Sequence, residues 1–229
     1  MKIDHHMAKV VNPFIVTGKI EPEYFCDRVT ESARLIKSVT NGNNLVIISP
    51  RRMGKTGLIQ FCYDKSEIAD EYYTFFIDIL HTSSLREFTY LLGREIYETL
   101  LPRSRKMADL FIQTIKSISG KFGFDPITGM PTFNVELGDI DRPEYTLDEI
   151  FQYLGHADKP CIVAIDEFQQ IADYPEKGVE ALLRSYIQFL PNVNFIFAGS
   201  KQHVMQEMFL SAKRPFYQST QTLSIDRIE

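Results

Sequence analysis

The chain has 229 residues, 44% apolar and 24% charged, with a formal net charge of −5. This composition excludes a disordered or collagen-like chain, and the length suits one large domain, or one domain and a fragment. The acidic balance argues against a domain-wide electrostatic footprint for nucleic acid, while leaving room for a local basic patch, and no apolar run approaches the ~18–20 residues of a membrane span.

Residues 1–11 read as a flexible N-terminus, the first six as a cloning scar. Met1-Lys-Ile-Asp-His-His-Met7 has no apolar stretch of the signal-peptide kind, and a second Met opens at position 7. His5 and His6 have the chemistry to hold a metal, but a loose terminal pair is the plainer reading. From there a single domain is expected over 12–229. Asp27 is placed to cap a helix with Val29, Ala33, Ile36 and Val39 at helical spacing and Gly42 as its stop. Leu45-Val-Ile-Ile48 is a β-branched run of the kind buried on both faces of a parallel sheet. A helix pattern runs from Lys55 to about Lys65, and a strand pattern over 72–79.

Residues 84–118 read as two helices broken at Pro102. The texture then changes. Phe122 and Phe124 alternate, Asp125-Pro-Ile-Thr-Gly129 supplies turn chemistry, and Phe133, Val135 and Leu137 alternate again, so a β-hairpin is expected as an insertion near 119–138. Thr146-Leu-Asp-Glu149 has the form of a capping box for a helix ending near Gly155. Strand patterns at 161–165, 193–198 and 220–225 alternate with helix patterns at 178–190 and 203–210. The alternation predicts an α/β chain: a three-layer α/β/α sandwich around a mostly parallel five-stranded sheet. Cys26, Cys62 and Cys161 are scattered, odd in number and without CxxC spacing, which fits reduced thiols in a cytoplasmic chain.

Between the first strand and its helix lies Ser49-Pro-Arg-Arg-Met-Gly-Lys-Thr56. It meets the phosphate-loop pattern G-x-x-x-x-G-K-[ST] at every fixed position except the first, where Ser49 replaces Gly. Gly54 lets the backbone wrap phosphate oxygens, and the amides of residues 53–57 sit at a helix N-terminus. The candidate nucleotide-binding set in the loop is therefore Pro50, Arg51, Arg52, Met53, Gly54, Lys55, Thr56 and Gly57. Lys55 is assigned to the β/γ-phosphates and the Thr56 hydroxyl to Mg2+. A second carboxylate is needed on a neighbouring strand, and Cys161-Ile-Val-Ala-Ile-Asp166-Glu167 supplies it. Asp166 is the expected metal ligand with Thr56, and Glu167 the base that polarises the attacking water. Ser200, at the end of Phe195-Ile-Phe-Ala-Gly199, is the candidate sensor of the γ-phosphate, although a solvated loop start explains it almost as well.

These residues, with Asn12-Pro-Phe-Ile-Val-Thr-Gly18, Tyr24-Phe-Cys-Asp-Arg28, Glu31 and Ile165-Asp-Glu-Phe168, resemble the bacterial and archaeal AAA+/STAND-type ATPases over roughly residues 12–226. The resemblance implies ATP and Mg2+ as cofactors and a sheet order of 5-1-4-3-2. It also implies an adenine lodged around Phe14, Val16, Phe25 and Arg28. Gly57 stands where the family commonly has Ser. Phe216-Tyr-Gln-Ser219 stands where it often has Tyr-Gly-Arg, which leaves Arg214 as the stand-in for an arginine finger. The family continues into a helical lid and usually a winged helix, both expected to be missing here.

Three functions stay open on these residues: an ATP-hydrolysing switch core, a nucleotide-binding interaction module with little hydrolysis, and the ATPase part of a DNA-processing protein. Glu167 favours the first. The lid and finger favour the second by their expected loss. For the third, DNA would be met only through a missing C-terminal domain; the basic cluster Arg103-Ser-Arg-Lys106 reads more simply as a solvated helix start. A protein partner or self-association through the core is also expected, with the hairpin as a contact or a plain insertion, and no membrane association.

Overall fold

A computed structural model of the chain describes residues 28–121, 123–124, 131–132 and 135–226. Phe14, Val16, Phe25, the N-terminal segment 1–11 and residues 125–130, where the hairpin turn is expected, lie outside the described residues. Five strands form one all-parallel sheet: β1 (Leu45–Ile48), β2 (Tyr73–Asp78), β5 (Cys161–Asp166), β6 (Val193–Gly199) and β7 (Gln221–Ser224). Their order is β2-β5-β6-β1-β7, which is the expected 5-1-4-3-2 arrangement in sheet-strand numbering. The insertion is a short antiparallel pair, β3 (Gly123–Phe124) with β4 (Pro131–Thr132).

The strand sequences explain the layering. Successive side chains of a strand face opposite ways, so Val46, Ile48, Phe75, Ile77, Val163, Ile165, Phe195 and Phe197 enter one apolar core. Leu45, Ile47, Ile162, Ala164, Ile196, Ala198 and Leu223 enter the other. The first core is closed by α4 (Leu85–Arg103), α5 (Arg105–Thr114), α6 (Pro143–Gly155), α7 (Val179–Ile187) and α8 (Gln202–Leu210). The second is closed by α1 (Val29–Thr40), α2 (Lys55–Tyr63) and the single turn α3 (Ser66–Ala69). Each fully buried aliphatic or aromatic side chain contributes about 1.5–3 kcal/mol relative to exposure, so both faces hold the sheet. No described helix is long and apolar enough to cross a membrane.

Four local expectations change. In α1 the buried residues are Ser32, Leu35, Ser38 and Val39, while Val29 is 81% exposed. The two serines tolerate burial because Ser32 Oγ donates to the Arg28 carbonyl (2.6 Å) and Ser38 Oγ to Gln221 Oε1 (3.0 Å). The α4–α5 break falls at Ser104, which caps α5 by accepting from the Met107 amide; Pro102 is carried inside the last turn of α4. Helix α6 begins at Pro143, three residues before the expected cap, because Pro is preorganised for the first helical position. Thr146 and Glu149 therefore lie inside it, and the Glu149 carboxylate instead accepts from the Lys116 and Ser117 amides and the Ser117 hydroxyl. Finally, Val135 is buried outside any strand and Leu137 opens a 3-10 turn over Leu137–Asp139, so the second hairpin strand is shorter than the alternation predicts.

Candidate active site

All five strands point the same way, so the segments leaving their C-terminal ends collect on one edge of the sheet, where α/β proteins place their sites. β6 pairs with β1 on one side and β5 on the other: Ile48 is opposite Gly199, and Ile165 opposite Phe197. The loop after β1, the acids at the end of β5 and Ser200 after β6 are thereby brought together by strand register.

The loop turns sharply into α2 through two left-handed residues, Arg52 (φ 63) and Gly54 (φ 79). Glycine is the residue that takes the second at no steric cost; a Cβ there would meet nothing within 4 Å among the described residues, so among them only the dihedral demands it. Ser49 is fully buried, whereas Pro50, Arg51 and Arg52 are exposed. Met53 packs against the second core, and Gly57 lies in the first turn of α2. Lys55 is 5% exposed and its ammonium donates to the carbonyls of Ser49 (3.3 Å) and Pro50 (3.1 Å). Burial pushes its pKa below the ordinary lysine value, against the opposing pull of Asp166 and Glu167.

The Thr56 hydroxyl donates to Asp166 Oδ2 at 2.5 Å, which joins the loop to the end of β5. Asp166 is 4% exposed and accepts the Glu167 amide on Oδ1 (2.9 Å). Burial raises its pKa in spite of those two hydrogen bonds, with Glu167 and Asp78 adding to the rise. Asp78 ends β2 directly opposite Asp166 in the ladder. It is a second strand-end carboxylate that the sequence reading passed over, although its position after Phe76-Ile77 was the available signal.

Glu167 has a left-handed backbone (φ 56, ψ 38), which costs a non-glycine residue roughly 1–2 kcal/mol. Such strain persists where surrounding structure overrides it. Here the override is a four-ring cluster. Phe168, from the 3-10 turn Phe168–Asp173, lies 4.5 Å from Phe197 on β6, 5.8 Å from Phe209 on α8 and 5.4 Å from Phe216, centroid to centroid. The Glu167 carboxylate then accepts on Oε2 from Ser200 Oγ (2.7 Å) and from Gln169 Nε2 (2.5 Å). Burial alone would raise its pKa; the hydrogen bonds from Ser200 and Gln169, then the charges of Lys55 and Arg51, outweigh burial and leave it below the usual glutamate value. Gln169 was missed in the sequence because nothing in Phe-Gln-Gln distinguishes it from a solvated turn.

Arg28 borders the same edge. Its guanidinium donates to Glu31 (2.7 Å), to the Asp226 carbonyl (2.6 Å) and to the Met53 carbonyl (3.4 Å), tying the start of α1 to the phosphate loop and to the segment after β7. Arg214 is elsewhere engaged, paired with Glu180 at 2.8 Å and Glu207 at 3.7 Å.

Sheet order, loop and flanking helices define the class: a three-layer α/β/α P-loop NTPase fold. Among solved structures, the chain is similar to the Walker-type ATPase PABY2304 of Pyrococcus abyssi, with a TM-score of 0.60 and 22% identity over 93% of this chain and 57% of that one. It is also similar to the Aeropyrum pernix ORC1 protein in complex with DNA (TM-score 0.55, 12% identity, 90% of this chain and 46% of that one). The ORC2 protein of the same organism, in its ADPNP-ADP complexes, matches with a TM-score of 0.54 and 14% identity over 88% of this chain and 48% of its own. The chain thus spans about half the length of these neighbours. No protein-family model and no curated protein matches the sequence.

Proposed function

We propose that the chain is the ATP-binding and ATP-hydrolysing core of a AAA+/STAND-type switch. The observation that carries this reading is the Thr56–Asp166 hydrogen bond, which puts the hydroxyl of the phosphate loop and the strand-end carboxylate at one point. Hard oxygen donors of this kind suit Mg2+, and a bound cation would offset the burial penalty that raises the Asp166 pKa. Thr56 and Asp166 would hold the ion, whose chemical contribution is to neutralise phosphate charge. Lys55 would exchange its two carbonyl contacts for the β/γ-phosphates, and the amides of residues 53–57 would cradle them. Glu167, kept ionised by Ser200 and Gln169, is suited to accept a proton from an attacking water. Phe14, Val16, Phe25 and Arg28 remain the proposed surroundings of the base.

A nucleotide-dependent interaction module with little turnover is the second reading. It draws on Arg214, whose guanidinium is paired with Glu180 and Glu207 and so is not presented as a finger. One neighbour is a DNA complex; DNA engagement by this chain would fall to segments outside the described core. Calorimetric titration of ATP-Mg2+ tests the binding assignment: Lys55→Ala should sharply weaken the affinity. An unchanged affinity in that variant overturns the phosphate-loop reading.

A further inference from the structure

Glu167 is gripped on one oxygen only. Ser200 Oγ and Gln169 Nε2 both donate to Oε2 (2.7 and 2.5 Å), whereas no described residue donates to Oε1. The two donors come from different elements, Ser200 from the end of β6 and Gln169 from the 3-10 turn that follows Glu167. Gln169 is 2% exposed, so its carboxamide is held inside the protein rather than at the surface. It also sits against backbone that leaves room for it and for nothing else. A Cβ on Gly199 would be 2.6 Å from the Met205 Cγ and Sδ and closer still to Gln169 Oε1. The price of this seat is visible in Gln169 Oε1, which is buried without a hydrogen-bond partner among the described residues. A buried acceptor left unpaired is ordinarily selected against, and the compensating contact it secures is the one from Nε2 to Glu167.

The geometry points to Gln169 as a positioning residue for the hydrolytic step: it fixes the Glu167 carboxylate through Oε2 and thereby assigns Oε1 as the oxygen that takes the proton from water. This inference rests on the ATPase reading above. Ser200 alone supplies one donor, about which a carboxylate still rotates; the second donor, from a side chain immobilised by burial, removes that freedom. Hydrogen bonds to a charged group are stronger than neutral ones, and orientation of a catalytic group acts on the rate rather than on substrate affinity. Gln169 does not touch the nucleotide in this scheme and acts only through Glu167.

The test uses Gln169→Met, which keeps the length and apolar packing of the side chain but has no donor, with thermal melting as the check on folding. Steady-state hydrolysis is expected to show kcat lowered by about tenfold or more with KM for ATP unchanged. In a Glu167→Gln background the same substitution should cost nothing further, because the group it acts through is already gone. A merely structural role would lower turnover in both backgrounds and raise KM, and either result overturns the inference. Gln169→Asn, one methylene shorter and unable to span to Glu167, carries the same expectation if the Met variant does not fold. A parent clearly above the Lys55→Ala blank together with parental or raised kcat in Gln169→Met overturns the positioning role alone. A parent no faster than that blank overturns the ATPase reading, and this inference with it.

Discussion

Substituting Gly199 by Ala is the sharpest test of how the site is built. Gly199 ends β6, faces Ile48 across the ladder and immediately precedes Ser200. Its dihedrals are not the issue, since its φ is not positive. The obstacle is space: the new methyl would lie 2.6 Å from Met205 and closer to the Gln169 carboxamide. Carbon atoms settle at about 3.5–4.0 Å from their neighbours, so an ångström or more must be found. Met205 is 0% and Gln169 2% exposed, so neither can swing into solvent. Overpacking of this kind costs about 1–3 kcal/mol, and the reduced freedom of the unfolded chain on replacing Gly returns about 0.4–1 kcal/mol. The net loss is then about 1–2 kcal/mol, and at roughly 2–4 °C per kcal/mol for a chain of this size the melting temperature should fall by about 2–8 °C. Because the displaced group is the one holding Glu167, the variant should also lose turnover by more than its stability loss explains at a temperature where it is folded. Scanning fluorimetry and a phosphate-release assay at 20 °C read the two effects. A melting temperature within about 1 °C of the parent would refute the packing argument around Gly199.

Glu167→Gln keeps the size of the side chain and loses the base, so ATP binding should persist while hydrolysis falls by about 10²–10⁴-fold; turnover equal to a parent that itself exceeds the Lys55→Ala blank would remove the role given to Glu167. Arg214→Ala leaves Glu180, 13% exposed, without its partner, and should destabilise the fold by about 1–2 kcal/mol, less than for a fully buried pair because the guanidinium is part-exposed. Burial already raises the Glu180 pKa, against the opposing charge of Arg214, and removing Arg214 raises it further. A group with a raised folded pKa favours the folded state at pH below its unfolded value and loses that contribution as pH rises through the folded one. The melting-temperature deficit of Arg214→Ala should therefore be larger at pH 8 than at pH 5; an equal deficit at both would show that Glu180 does not carry it.

The parts of this protein legible in the sequence are those whose physics is local. Val-Ile-Ile and Ile-Val-Ala-Ile runs suit strands buried on both faces, Gly54-Lys55-Thr56 after one of them has few other uses, and Asp166-Glu167 follows another; the alternation of such runs with helices leads to the three-layer fold. What needed tertiary structure is every case in which a residue answers to a partner distant in sequence. Thr146 and Glu149 have the spacing of a cap, but Pro143 starts the helix, and Glu149 satisfies amides at 116 and 117 instead. Of the apolar stripe Val29, Ala33, Ile36 and Val39, only Val39 is fully buried in α1; Ser32 and Ser38 find acceptors and go inside where Val29 and Ala33 do not. Asp166 reaches Thr56 across 110 residues, and Ser200 reaches Glu167 across 33, because β6 lies between β1 and β5. Gln169 is the clearest case. Its neighbours in sequence mark it as a turn residue, and only the turn that folds back over Phe168, together with the bare backbone of Gly199, gives its amide somewhere to go.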